Sequence, residues 1–187
     1  MGIYKDVMST LVRVLAADNI DNSTKQSWQK LIEADIQKGC NGSSLSPRDK
    51  FDYDCCLYAL LHRQLDPAQW DVLVAKYSTH KANKVAAIGR LVARMVSPAP
   101  QLFVYKALTA WAIPKMKGVQ TVKRSTDMIV LPGEFYDMNT WDTEGKPEST
   151  RRRWRTGIAK RLESLEEAAV VHATEIFEKE EIFIDAA

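Results

Sequence analysis

From residue 148 to about residue 182 the chain contains no proline and one glycine, Gly157. Within that stretch Trp154, Ile158, Leu162, Leu165, Ala169, Val170 and Ile176 recur at helical spacing. One long helix is predicted, with Gly157 as the place where it would bend. Such an element commits the chain to a mainly α architecture.

The rest of the sequence is punctuated at helical intervals. Ile3, Val7, Leu11, Val14 and Leu15 lie on one face of an amphipathic first helix. Ser23 and Gln26 form a capping-box pattern ahead of Trp28, Leu31, Ile32 and Ile36, and Gly39 ends that helix. Ser46-Pro47 and Asp66-Pro67 are start signals of the same kind, a capping side chain followed by proline at the first helical position. The first leads to Phe51, Cys55, Tyr58, Leu61 and Leu65 as an inner face, the second to Trp70, Leu73, Val74 and Tyr77. A polar turn at 78–81 precedes Val85, Ile88, Leu91, Val92 and Met95, and two further prolines introduce a helix over 101–112 that Pro114 stops. Residues 115–132 change character and suit a short hairpin or an extended arm. One or two helical turns are expected over 133–141, then a turn over 142–147. The predicted fold is a helical bundle with helix-turn-helix-like units, a long C-terminal helix and at most a small β hairpin. It divides into an N-terminal helical domain, 1–112, and a basic arm, helix-turn-helix-like unit and long helix, 113–187.

The 187 residues, 45% apolar and 27% charged, suffice for a core without disulfides or metal. Cys40, Cys55 and Cys56 are odd in number and form no CxxC pair, so neither a secreted disulfide scaffold nor a zinc ribbon is expected; Cys55 and Cys56 read as core. No charge-free apolar run approaches a membrane span, and residues 1–15 lack a signal peptide's apolar core. A cytoplasmic protein without cofactor or metal is expected.

Net charge is only +2, so any case for nucleic acid has to be local. Such a case exists on the last helix. Residues 146–161 carry a net +6 and residues 162–187 a net −7. This order opposes the helix dipole, which favours acidic groups at the amino end and basic groups at the carboxyl end by about 0.3–1 kcal/mol each. With Ser149 or Thr150 as the cap, Arg151, Arg152 and Arg153 occupy the first turn. An anion is the simplest compensating partner, and arginine favours bidentate contact with phosphate or guanine. The competing reading is a solvated charged face in which Arg151 and Arg155 pair with Glu148 or with other carboxylates. Trp154, within the cluster, reads as core.

Two arrangements resemble DNA-binding helical units. The first comprises the helices at 67–77, 82–95 and 101–112, but its third helix is too apolar to read base edges. The second places residues 149–153 at the start of the long helix, where a recognition helix meets DNA. The candidate contacts are Lys146, Ser149, Thr150, Arg151, Arg152, Arg153, Arg155, Lys160 and Arg161. Lys115, Lys117, Lys123 and Arg124 in the arm would track the phosphate backbone. His62, His80 and His172 are scattered, and no phosphate loop or nucleophile elbow occurs. Asp127, Glu134, Asp137, Asp142 and Glu144 would have to converge to serve a divalent-metal nuclease.

Asp66-Pro67-Ala68-Gln69-Trp70-Asp71-Val72-Leu73, with Lys76-Tyr77 and Ala86-Ala87-Ile88, is similar to a stretch of lambdoid phage antitermination proteins of the Q type. Leu131-Pro132, the run from Phe135 to Asp142 and Ser149-Thr150-Arg151-Arg152-Arg153-Trp154-Arg155 resemble an uncharacterised family of enteric prophage proteins. Together the two cover about half the chain. The cysteine pairs of zinc-containing Q proteins are missing. The resemblance implies a non-enzymatic phage late-gene regulator that binds double-stranded DNA and acts on bacterial RNA polymerase as an antiterminator. The alternatives are a protein–protein adaptor, in which the arginine cluster meets the acidic tail of a second copy, and a divalent-metal nuclease. Monomer and dimer are both open.

Overall fold

Asp66 and Pro67 show how this chain starts a helix. Proline pre-sets the backbone and needs no hydrogen-bond acceptor at the first position, while Asp66 and Gln69 form a capping box in which the Asp66 N–H donates to Gln69 Oε1 at 3.3 Å. The computed structural model describes residues 6–17, 47–115 and 129–182. Among them are six α-helices: α1 (Val7–Ala17), α2 (Pro47–Gln64), α3 (Pro67–Tyr77), α4 (Lys81–Arg94), α5 (Gln101–Ala112) and α6 (Glu148–Lys179). Two 3-10 turns, Gly133–Tyr136 and Met138–Thr140, precede α6. The chain is mainly α, no strand occurs among the described residues, and no described helix is long and apolar enough to cross a membrane. The helix expected near residues 23–39, the loop at 40–46 and most of the arm lie outside the described residues.

Helix α3 is the hub. It packs on α4 and α6 and also meets α1, α2 and α5. Six consecutive residues from Trp70 to Ala75 are therefore buried, far more than one amphipathic face. The buried set includes Asp71, whose carboxylate is held by Arg90 and Arg94 of α4. A second buried carboxylate, Asp54 of α2, takes the guanidinium of Arg13 from α1 at 2.8 Å. Between α3 and α4, Lys84 donates to the last-turn carbonyls of Lys76 and Ser78 at 3.0 and 3.2 Å, and burial lowers its pKa.

Helix α6 runs along α3 and α5 and reaches α1 and α2. Its inner stripe is Ile158, Leu162, Ala169, Ala173, Ile176 and Phe177. Polar clamps join it to α3. The Glu166 carboxylate accepts from both Lys76 Nζ and the Tyr77 hydroxyl, and His172 Nδ1 lies 2.7 Å from Gln69 Oε1. The Lys76 ammonium also sits 5.0 Å from the Trp111 ring centre. One buried apolar cluster takes residues from α1 through α5 together with Trp141, Ile158, Leu162 and Phe177. The expected division at 112/113 thus falls in a chain whose core draws on both sides of it. The helix ends in a Schellman motif: Ile182 N–H donates to Phe177 O at 3.0 Å and Glu181 N–H to Glu178 O at 3.1 Å. Glu181 holds the left-handed position, φ 51°, usually taken by glycine.

Several expectations need correction. Cys55 and Cys56 are exposed rather than core, because Asp54, Leu57 and Leu61 supply the inner face of α2. Val85 is 58% exposed, since α4 buries Ala87, Ile88 and Leu91 instead. The one long helix expected after residue 148 is present as α6, Glu148–Lys179.

Candidate nucleic-acid interface

The segment before α6 is anchored by one aromatic side chain. Trp141 is fully buried, its ring meets Phe103 of α5 edge-on at 5.4 Å, and its Nε1–H donates to Phe135 O at 2.7 Å. Trp154 of α6 meets the same Phe103 at 5.4 Å, again edge-on, so Phe103 is shared by both tryptophans. Tyr136 donates its hydroxyl to Ile113 O at 2.8 Å, and Lys106 Nζ donates to Thr140 O at 3.1 Å. The 3-10 turns are thereby stapled to α5, and the start of α6 has a fixed position relative to them.

The turn into α6 is built from its own carboxylates. Asp137 Oδ1 accepts from Asn139 N–H at 2.9 Å. Asp142 accepts from the N–H groups of Glu144 and Lys146 at 2.9 and 2.6 Å. Gly145, at φ 67°, adopts the left-handed conformation that turn requires. These carboxylates are committed to backbone groups, and Asp127 lies outside the described residues. Among the described residues no group of three or more His, Cys, Asp or Glu side chains is placed to share a metal ion.

The cap of α6 is Pro147, not Ser149 or Thr150. Proline-bounded entry starts the helix at Glu148, so the first turn carries an acidic residue in agreement with the dipole. The arginines move into the second turn, where Arg151 N–H already donates to Pro147 O at 3.2 Å. The dipole conflict at this end is therefore milder than predicted, and the basic charge itself is the stronger feature.

Consecutive helical residues are turned 100° from one another, so Arg151, Arg155 and Arg152 fall within an arc of about 100° while Arg153 points the other way. Arg155 is exposed and stacks over Trp141, its guanidinium carbon 5.6 Å from the ring centre. Arg151, four residues earlier on the same side, is half-buried with its Nε atom shielded from solvent and without a hydrogen-bond partner. Arg152 is exposed and pairs with Glu148 at 2.6 Å. Arg153 and Lys160 are exposed on the outer side, away from the inner stripe, and form no ion pair with a described residue. Arg161 donates to the Val96 carbonyl. Lys146 lies 3.4 Å from Glu144, and Ser149 is exposed while Thr150 is half-buried. Lys115 is exposed at the end of α5; Lys117, Lys123 and Arg124 lie outside the described residues. The structure thus sets Arg155 against the Trp141 anchor, while Lys146 and Arg152 pair with Glu144 and Glu148 beside the start of α6. Trp141 itself was not among the predicted site residues. Its signal is an aromatic residue just ahead of a turn and four residues short of Gly145.

No protein-family model matches the chain, and comparisons with curated proteins and with solved structures find no match.

Proposed function

We propose that this protein is a DNA-binding transcription regulator that grips duplex phosphates with the amino end of α6. One observation carries the reading. Lys146, just ahead of α6, and Arg151, Arg152, Arg153, Arg155, Lys160 and Arg161 in its amino-terminal half form one basic cluster, and among the described residues only Glu144 and Glu148 form ion pairs with them. Unneutralised arginines on a rigid helix are suited to bidentate phosphate contact. The stacked Arg155 and the stapled turn hold part of the cluster in place before any ligand arrives, which lowers the entropic cost of binding. Action with bacterial RNA polymerase as an antiterminator, in the cytoplasm of a bacterial host, is the finer form of this proposal. Its support is the likeness of the α3 and α4 segment to Q-type proteins.

The test is binding to non-specific duplex DNA across a salt series. Each phosphate contact adds about −0.9 to the slope of log K against log salt, so four contacts give a slope near about −4. Arg151→Gln, Arg152→Gln and Arg155→Gln together should flatten it by about three contacts. Absence of binding at low salt, or an unchanged slope in the triple variant, would overturn the proposal.

A further inference from the structure

The outer face of α6 is exposed along its whole length. Residues Arg153, Gly157, Lys160, Ser164, Glu167, Val171, Glu175 and Glu178 all lie on it and are all exposed. They follow one another at spacings of three and four, the pattern of a seam between two helices. Gly157, Ser164 and Val171 recur at intervals of seven. The charged positions are basic before Ser164 and acidic after it.

Two features of this face find no explanation among the described residues. Gly157 sits in the interior of a 32-residue helix, where glycine is among the poorest helix formers, and a Cβ built there meets nothing within 4 Å. No neighbouring element among the described residues therefore requires its small size. Val171 is a large apolar side chain that is nonetheless 58% exposed.

We propose that this face is the seam of a homodimer, in which two α6 helices pair antiparallel about a two-fold axis at Ser164. Antiparallel pairing about that residue sets Arg153 opposite Glu175 of the second copy and Lys160 beside its Glu167. It sets Val171 over Gly157 of the second copy, where the missing Cβ leaves room for it. By symmetry each of these relations occurs twice, as an isologous interface demands. Parallel pairing would instead set basic halves together and acidic halves together. The occupant is thus a second copy running the other way, because the face is complementary to itself only in that orientation. The acidic half of the helix, unfavourable at the carboxyl end of an isolated helix, gains its partner in this arrangement. Arg153 and Lys160 belong to both this seam and the basic cluster, whereas Arg151, Arg152 and Arg155 lie on other sides of α6; the dimer is therefore tested without DNA, apart from the DNA-binding reading.

The experiment measures the mass of the full chain in solution without DNA, by sedimentation or light scattering across a concentration series. The wild-type chain should be a dimer. Arg153→Glu with Lys160→Glu should be monomeric, and so should Glu167→Lys with Glu175→Lys, each with a dissociation constant raised about a hundredfold or more. All four positions are exposed, so both variants should keep the wild-type circular dichroism spectrum. Mixing the two variants should restore a dimer made of one of each. A monomeric wild type, a dimer indifferent to the reversals, or variants that stay monomeric when mixed would each overturn the proposal.

Discussion

Arg90 of α4 places Nε 2.8 Å from Oδ1 of Asp71, a residue of α3 that is 2% exposed, while Arg94 holds the other oxygen at 2.9 Å. The pairing is asymmetric, because the carboxylate is buried and both guanidinium side chains are about half in water. The interaction with Asp71 raises the pKa of Arg90. Removing one arginine leaves the other in place. Removing both leaves a buried charge without a partner, which is the costly case.

Arg90→Ala with Arg94→Ala should accordingly destabilise the fold by about 3 kcal/mol, the low end for broken buried pairs because the arginine heads are solvated. Each single variant should lose less than half of that. Adding Asp71→Ala to the double variant should recover most of the loss, since the orphaned charge is then gone. Urea unfolding of the four chains checks this, and a double variant as stable as the wild type would count against a buried, ionised Asp71.

Alkaline pH should weaken the joint between α3 and α6. Burial, with the Glu166 carboxylate that accepts its hydroxyl proton, pushes the pKa of Tyr77 well above its ordinary value of 10. Below that value Tyr77 is protonated in both folded and unfolded chains, and its contribution is constant. Above it the unfolded chain releases the proton and the folded chain keeps it, so stability falls as pH rises. Lys84, with its pKa lowered by burial, contributes the opposite slope below its ordinary value of 10.5. Comparison with Tyr77→Phe cancels the Lys84 effect. The unfolding free energy of the wild type should drop relative to Tyr77→Phe between about pH 9 and about pH 11. Parallel curves would contradict the hydrogen bond to Glu166.

Trp141 should matter more than its place in a short irregular segment suggests. Trp141→Ala removes a fully buried indole and its bond to Phe135 O, a loss of about 3–5 kcal/mol of local stability. The damage should fall on residues 129–147, where limited proteolysis should cut first. Trp141→Phe keeps a ring against Phe103 and should show a smaller effect. Equal protection of the segment in all three chains would mean that Tyr136 and Lys106 hold it unaided.

Much of the helical content was legible because its signals are local. Asp66-Pro67 and the helix over 101–112 appear at the expected places, since proline and capping chemistry act within one turn. The long helix was equally plain in an uninterrupted period. The candidate site was legible as a charge pattern and not as a surface. Sequence spacing places Arg151, Arg152, Arg153 and Arg155 together, yet the 100° turn per residue sends Arg153 away from the other three, and only packing decides which side meets Trp141.

The same division holds for the whole molecule. Helix type, most helix boundaries and the +6 and −7 halves of the last helix follow from the order of residues alone. The tertiary structure decided that α3 is buried on every side, that Asp71 and Asp54 are interior carboxylates, and that Cys55 and Cys56 face water. It also moved the cap of α6 to Pro147 and tied the turn before it to α5 through Trp141. The physical reason is that burial belongs to pairs of elements far apart in sequence. A residue's own period says which face it occupies, but how many neighbours cover that face is set only when the helices meet.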